Sequence, residues 1–188
     1  MDRRIEKSKQ AIVHALMELM SKKDFKKITI NEIAAEANIN RGTVYSHFVD
    51  KFDLLNHCIE THLNELFENC ISHGETSNFS SKSSLLLTFK YLEKNAFFYS
   101  NMLTNKGMPA FRERIHAITL RAVNDHIDMT GNNEGIDKEI LVQYVTSAAV
   151  GVVEWWITNA MPFSAEYIVD HLWRLLDRDQ MHNSDILY

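Results

Sequence analysis

Residues 29–55 read TINEIAAEANINRGTVYSHFVDKFDLL, and this stretch predicts two short helices joined by a tight turn. Thr29 followed three residues later by Glu32 is a capping box, which is the sequence signature of a helix N-terminus. Asn38 tolerates the left-handed backbone conformation that ends such a helix. Asn40 is a suitable N-cap for the second helix. Two short helices separated by so short a turn form a helix-turn-helix.

The flanking sequence extends this helical pattern on both sides. Residues 3–22 place apolar side chains at helical spacing, which predicts a supporting helix ahead of the motif. Asp50 is a candidate N-cap for a longer helix over 51–72, with Asp53 in the first turn of that helix. Because the 188 residues include only six glycines and two prolines, and show little β-type alternation, we expect an all-α fold.

A polar stretch over 72–84, SHGETSNFSSKSS, has the composition of a linker. Helical patterns resume after it, over 85–98, 110–129, 137–160 and 164–179. We therefore expect two domains, a three-helix helix-turn-helix domain over 1–50 and a helical domain over 51–188. The chain is long enough to give both a buried core.

The overall composition, with 45% hydrophobic residues, is that of a globular protein. No apolar run reaches the ~18 residues of a membrane span, the N-terminus MDRRIEKSKQ lacks the apolar core of a signal peptide, and the two cysteines have no metal-type spacing. We therefore expect a cytoplasmic protein that does not contact a membrane. The histidines are scattered, and no phosphate-binding loop or acid–base pair occurs, so we expect no metal, no cofactor and no enzymatic activity.

The net charge of −5 is unevenly distributed along the chain. Residues 1–53 carry ten Lys and Arg against eight Asp and Glu, whereas residues 54–188 carry ten against seventeen. The basic balance lies in the segment that contains the helix-turn-helix. This asymmetry is a hint of nucleic-acid contact at that end of the chain.

The second short helix would present its N-terminal residues to the major groove of double-stranded DNA. Arg41 could bind a phosphate or pair with the O6 and N7 atoms of guanine. Gly42 would let the helix approach the duplex closely. Thr43 could contact a thymine methyl group or a base-edge acceptor. In the alternative interpretation, residues 28–55 form a plain helical hairpin with solvated charges.

Four further side chains are candidates for contacts to the DNA backbone. Tyr45 and His47 could hydrogen-bond phosphates while their rings stay partly packed. Lys51, at the start of the next helix, is well placed for a backbone phosphate. Thr29 could cap its own helix and contact a phosphate at the same time.

These residues, in this order, resemble the TetR (tetracycline-repressor-like) family of transcriptional regulators over residues 8–55. The positions that match the family pattern are Ile33-Ala34, Ala37, Gly42, Tyr45, His47-Phe48, Lys51 and Leu54. Phe52 departs from the pattern, because the family usually has Glu there. The resemblance implies an all-helical homodimer that binds a palindromic DNA operator through its N-terminal helices. The C-terminal helices would dimerise and hold a pocket for a small-molecule effector, and repression is the family's commoner role.

Residues 137–160, DKEILVQYVTSAAVGVVEWWITNA, are apolar almost all round, which predicts a helix covered on most sides. Ser147, Ala148 and Gly151 are small and would allow another helix to approach closely. We expect residues 137–160 and 164–179 of two chains to form a four-helix dimer interface. The alternative is that this helix is buried entirely within one chain.

Aromatic and methionine side chains at helical spacing are candidates for an effector pocket in the C-terminal half. The candidate residues are Phe98, Met102, Phe111, His116, Trp155 and Trp156. The alternative is an ordinary apolar core. The segments over 97–115 and 151–164 also resemble the C-terminal domain of TetR-like proteins related to the dihydroxyacetone-kinase regulator. That resemblance implies a second possible function, a co-regulator that acts through a protein partner.

Overall fold

The structure is a computed structural model that describes residues 3–71, 82–104 and 109–178. Within those ranges the chain forms α-helices and two short 3₁₀ turns, Phe25–Lys27 and Gly131–Asn133, and no strand. The all-α prediction is therefore confirmed. The helices are α1 (Arg3–Lys22), α2 (Ile30–Glu36), α3 (Arg41–Tyr45), α4 (Lys51–Ile71), α5 (Lys82–Lys94), α6 (Ala96–Thr104), α7 (Pro109–His126), α8 (Lys138–Thr158) and α9 (Ala165–Arg178).

The predicted capping groups set the ends of the two short helices. The Thr29 side chain accepts a hydrogen bond from the Glu32 amide, and the Glu32 carboxylate accepts one from the Thr29 amide at 3.0 Å, which completes the capping box. Asn38 has the expected left-handed conformation, with φ of 52°. The Asn40 side chain accepts a hydrogen bond from the Gly42 amide at 2.7 Å and so caps α3. These three short-range predictions are confirmed.

The helix predicted over 85–98 is instead divided into α5 and α6 at Asn95. The Asn95 side-chain amide donates a hydrogen bond to the Tyr91 carbonyl at 2.9 Å. The Asn95 backbone amide donates to the same carbonyl at 3.1 Å, and asparagine side chains commonly bond to nearby backbone at helix ends. The predicted linker over 72–84 also needs correction, because α5 already begins at Lys82. The rest of that linker, 72–81, lies outside the described residues.

One compact unit contains Met1–Glu65 together with Phe97–Pro109. The core of this unit is built from fully buried side chains of α1 to α4, among them Ile12, Leu16, Ile33, Val44 and Leu54. The side-chain amide of Asn101 in α6 donates to the Met17 carbonyl in α1 at 3.3 Å. The unit that holds the helix-turn-helix thus extends beyond residue 50, where we placed the domain boundary.

The second compact unit contains Leu66–Ala96 and Ala110–Tyr188. Its helices α7 and α8 are joined by an ion pair between Arg112 and Glu154, at 3.0 Å. Helices α5 and α9 are joined by two ion pairs, Lys82–Asp170 at 2.7 Å and Lys90–Glu166 at 2.8 Å. An apolar cluster lies between α7 and α8 and comprises Val123, Leu141, Val142 and Val145.

Thr146, in the middle of α8, has a hydroxyl group whose hydrogen-bonding capacity is unused. Its side chain is fully buried, and its Oγ1 atom has no hydrogen-bond partner among the described residues. Three other helical threonines, Thr88, Thr104 and Thr158, donate to the carbonyl four residues earlier, at 3.0, 2.7 and 2.6 Å. A buried hydroxyl without a partner destabilises the folded protein, because folding removes its hydrogen bonds to water.

We expect the Thr146→Val variant to be more stable than the wild type. Valine keeps the shape of the side chain and removes the unpaired hydroxyl, so the free energy of unfolding should rise by about 1 kcal/mol and the melting temperature by about 2–4 °C. Thermal melts at one protein concentration measure the change. Thr88→Val is the matched control, because it removes a hydroxyl that has a partner, and it should not stabilise. A melting temperature lowered by Thr146→Val would show that the hydroxyl has a partner in the native protein.

Candidate nucleic-acid interface

Helix α3 is divided lengthwise into a buried side and an exposed side. Val44 is fully buried, and Phe48, just beyond the helix, is 4% exposed. These two apolar anchors fix the rotation of α3 against the rest of its unit. As a result Arg41 and Tyr45 face solvent and Thr43 is half-buried. The side of α3 that carries the predicted DNA-contacting residues is therefore the open side.

Arg41 and Tyr45 form a pair on the exposed side of α3. The Arg41 guanidinium donates a hydrogen bond to the Tyr45 hydroxyl at 3.2 Å, and its central carbon lies 5.3 Å from the centre of the tyrosine ring. The two residues are four apart, so they lie next to each other on the helix surface. This pairing limits the conformations of both side chains and leaves most guanidinium N–H groups available to another molecule.

Gly42 owes its place at the start of α3 to two local constraints. Its amide is bound by the Asn40 side chain, and an added Cβ atom would lie only 3.3 Å from that asparagine oxygen. A larger residue would therefore press against the helix cap. Gly42 is exposed, and the close approach to DNA that the sequence suggested for it stays a prediction.

His47 is tied to the first helix by a hydrogen bond that the sequence did not reveal. Its Nε2 atom lies 2.7 Å from the Ser8 hydroxyl, which itself donates to the Ile5 carbonyl at 2.8 Å. This bond occupies Nε2 and leaves Nδ1 for another partner, so the phosphate contact predicted for His47 would use Nδ1 and stays a prediction.

Lys51 is already engaged with backbone carbonyls. Its ammonium group donates to the carbonyls of Phe25, Lys26 and Ile28 at 3.1, 2.9 and 2.8 Å. An ammonium group has three N–H donors, so all of them are used. Burial, with the nearby positive charge of Lys23, lowers the pKa of Lys51. The predicted phosphate contact would require Lys51 to give up at least one of these bonds.

Thr29 is likewise occupied in its own capping box. Its hydroxyl donates to the Glu32 carboxylate at 2.9 Å and accepts from the Glu32 amide at 3.3 Å. The Glu32 carboxylate also accepts a hydrogen bond from Lys23. The bond from Lys23, followed by the bonds from Thr29, lowers the pKa of Glu32 to about 2. A negative charge therefore lies beside Thr29, where the sequence predicted a phosphate contact.

The six residues predicted to line an effector pocket fall in both units. Phe98 and Met102 are buried in the first unit, where the Phe98 ring stacks on His62 with ring centres 3.8 Å apart. In the second unit Phe111 is fully buried and His116 is half-buried. These positions neither establish nor exclude a pocket, so the residues remain predicted ones.

Trp155 and Trp156 have different environments. Trp156 is fully buried and donates a hydrogen bond from its indole to the Phe163 carbonyl at 2.8 Å. Trp155 is 47% exposed. The exposure places Trp155 on the surface of α8, and its role in an effector pocket stays a prediction. The sequence did not show which of the two side chains is buried.

One side of α8 carries large apolar side chains that face solvent. Ile140, Tyr144 and Trp155 are 68%, 59% and 47% exposed, and the small residues Ala148 and Gly151 lie exposed between them. None of the residues that the structure describes therefore covers the helix on this side. In the described part of the chain, α8 alone is long and apolar enough to cross a membrane, but core helices of soluble proteins pass the same test.

The chain combines a capped helix-turn-helix, whose second helix has an exposed side, with a second helical unit. This arrangement is typical of helix-turn-helix transcriptional regulators. The family model for bacterial regulatory proteins of the tetR family matches residues 12–58, and a model for the C-terminal region of transcriptional regulators matches residues 79–178. The chain belongs to the TetR family of transcriptional regulators.

Similar proteins include both a probable repressor and an activator of transcription. An uncharacterized HTH-type regulator of Bacillus subtilis, YxbF, is 22% identical over 181 residues, which cover 94% of this chain but only 47% of YxbF. The probable acrEF/envCD operon repressor of Escherichia coli is 25% identical over 197 residues, covering 93% of this chain and 89% of that protein. The solved structure of the dihydroxyacetone kinase operon activator DhaS is 20% identical, with a TM-score of 0.64, and covers 94% of this chain and 98% of that one.

Proposed function

We propose that this protein is a sequence-specific DNA-binding regulator, a repressor, that acts in the cytoplasm without enzymatic activity. The observation that carries the proposal is the divided surface of α3. Buried Val44 and Phe48 hold the helix in place, and the paired Arg41 and Tyr45 side chains project from its open side. A guanidinium group and a phenol held in this way can contact base edges and phosphates in the major groove.

We propose further that the protein binds DNA as a homodimer through α8 and α9. The exposed apolar side of α8 supports this, as does a row of rings that continues from it. Phe163, Tyr167 and His171 follow one another with ring centres 4.9 and 4.2 Å apart, and Phe163 lies 6.2 Å from Trp155. A second copy would cover this surface in a symmetric four-helix interface. The two recognition helices would then read half-sites about 35 Å apart in a palindromic operator.

Control by a small-molecule effector is the third part of the proposal. Membership of the TetR family supports it, because the family resemblance implies a C-terminal effector pocket. An effector that binds better to one arrangement of the dimer would shift the population between DNA-binding and non-binding arrangements.

Removing either member of the Arg41–Tyr45 pair should weaken operator binding. We expect Arg41→Ala and Tyr45→Ala each to raise the dissociation constant by about 10- to 100-fold, since a base or phosphate contact of this kind contributes about 1–3 kcal/mol. Tyr45→Phe, which keeps the ring, should weaken binding less. Fluorescence anisotropy with a duplex from the region upstream of the protein's own gene, against a random duplex, measures the effect.

Three outcomes of this experiment distinguish the candidate functions. Selective binding by the wild type, weakened in both alanine variants, supports a sequence-specific regulator. Unchanged affinity in both variants would refute the role of α3. No binding by the wild type at low salt would favour the co-regulator that acts through a protein partner.

A further inference from the structure

The turn between α1 and α2 carries two lysine side chains that the functional proposal has not used. We propose that Lys26 and Lys27 bind backbone phosphates of the DNA, and that Lys51 positions them without contacting the DNA itself. The proposal rests on the DNA binding proposed above and names the groups that provide part of it. In this proposal Lys51 has a positioning role in place of the direct phosphate contact that the sequence predicted.

Two lysines near this turn are already neutralised by carboxylates. Lys22 lies 3.3 Å from the Glu36 carboxylate, and Lys23 forms an ion pair with Glu32. Both pairs join the end of α1 to α2. The charges of these two lysines therefore serve the packing of α1 against α2, and they contribute little to the field that an approaching phosphate would meet.

Lys26 and Lys27 differ from those two lysines. Both side chains are exposed, and neither has an ion pair or a side-chain hydrogen bond within the described ranges. They lie in the 3₁₀ turn. Phe25, the first residue of that turn, and Ile28, the residue after it, are each 1% exposed. With apolar anchors on both sides of the pair, the turn presents two adjacent positive charges to solvent on a fixed backbone. Such a pair suits the closely spaced negative charges of a DNA strand.

Lys51 holds the backbone of this turn in place. Its three N–H donors bind the carbonyls of Phe25, Lys26 and Ile28, so one side chain fixes the peptide groups on both sides of the lysine pair. The ammonium group also lies 4.9 Å from the Phe25 ring centre and 5.5 Å from that of Phe52. Aromatic faces attract a cation, and this adds to the stability of the arrangement.

The position of Lys51 and of the turn that it binds explains why this contact would matter for DNA binding. The turn leads into α2, and Lys51 is the first residue of α4, which follows the recognition helix. The bonds from Lys51 therefore connect the segment entering the helix-turn-helix to the segment leaving it. A lysine pair held in this way keeps a constant position relative to α3, so its phosphate contacts and the base contacts of α3 can form together.

The start of α2 offers no comparable phosphate site. The hydroxyl and amide of Thr29 are both bound to the Glu32 carboxylate, which carries a negative charge. Phosphate oxygens would be repelled by that carboxylate. Lys26 and Lys27, next to this site in the sequence, carry positive charges without a carboxylate partner among the described residues.

The salt dependence of operator binding tests the lysine pair. We expect the slope of log affinity against log salt to fall in magnitude by about 0.9 for each phosphate that is no longer neutralised, or about 1.8 for each substituted position in a dimer. Lys26→Gln, Lys27→Gln and the double variant are measured by anisotropy over a range of KCl concentrations. Lys94→Gln, an exposed lysine at the end of α5 with the same change in charge, is the control and should keep the wild-type slope.

Variants of Lys51 separate positioning from direct contact. Arginine keeps the positive charge, but its planar guanidinium cannot direct three donors to the same three carbonyls. If Lys51 has a positioning role, Lys51→Arg should bind the operator about as weakly as Lys51→Met. Its plot of log affinity against log salt should also be flattened to a similar degree. Adding Lys51→Met to the Lys26→Gln, Lys27→Gln double variant should then reduce the salt dependence of its operator affinity only a little more, because the effects are coupled. A direct contact predicts that arginine restores binding and that the effects add.

The outcomes distinguish this inference from the function on which it rests. Wild-type binding with an unchanged slope in the Lys26→Gln, Lys27→Gln variant would overturn the inference alone. Restoration of wild-type binding by Lys51→Arg would overturn the positioning role. A wild-type protein that binds no DNA at low salt would overturn the proposed function and this inference with it. Circular dichroism melts confirm that the lysine variants are folded, and the two exposed lysines test the contact even if Lys51→Met unfolds.

Discussion

The Tyr144→Glu variant is expected to be a monomer that binds the operator about 10²–10⁴-fold more weakly than the wild type, since linked binding of two half-sites gains about that factor. Tyr144 is 59% exposed and lies one turn from Ile140, which is 68% exposed, on the open side of α8. In a symmetric dimer each α8 meets its own copy, so one substitution places two carboxylates in the interface. Burial of unpaired, like charges opposes association strongly.

Sedimentation equilibrium and anisotropy titration together measure this effect. Gln143→Glu is the matched control, because it introduces the same carboxylate in the same helix about 100° around the axis from Tyr144. The control should keep both the dimer and its operator affinity. A Tyr144→Glu protein that stays dimeric would place the interface elsewhere. A monomer with wild-type operator affinity would contradict the proposal that the two recognition helices of a dimer bind the two half-sites.

The features of the fold that the sequence predicted well are those made by neighbouring residues. Thr29, Asn38 and Asn40 act on backbone groups no more than four residues away. The Asp50 carboxylate likewise accepts hydrogen bonds from the amides two and three residues ahead, both at 2.8 Å. Interactions of this range depend on residue type and spacing alone, and both are visible in a sequence.

The features that were missed join residues far apart in the chain. Lys51 binds carbonyls 23 to 26 residues earlier, and His47 bonds to Ser8, 39 residues earlier. No local pattern encodes such contacts, because they depend on how the helices pack. Phe52 did give a signal: it stands where the family usually has Glu, and its ring packs edge-on against Phe25, with centres 5.4 Å apart.

Helix α8 shows a third limit, which concerns the side that a helix exposes. Its apolar composition predicted a helix covered on most sides, but a nearly uniform sequence does not specify the direction of the core. The structure exposes Tyr144 and Trp155 and buries Thr146, whose hydroxyl is polar. The direction depends on packing against other helices, such as that of Leu141, Val142 and Val145 against Val123 in α7.

Trp156→Ala is expected to destabilise the protein by about 3–5 kcal/mol, the usual range for removing a buried tryptophan from a core. Its side chain is fully buried, and its ring packs against Phe89 with centres 5.1 Å apart. The substitution would leave a cavity and an unpaired carbonyl at Phe163, which accepts the indole hydrogen bond. Thermal melts at a fixed protein concentration should show a fall of roughly 2–4 °C per kcal/mol.

Two neighbouring substitutions separate the causes of this destabilisation. Trp156→Phe keeps most of the ring contact with Phe89 but removes the indole donor, so it should lose less stability than the alanine variant. Trp155→Phe makes the same change at a half-exposed position of α8 and should leave the melting temperature within about 2 °C of the wild type. If the two phenylalanine variants melt alike, the hydrogen bond to Phe163 contributes nothing measurable. If Trp156→Ala melts like the wild type, the burial of Trp156 does not contribute measurably to the stability of the protein.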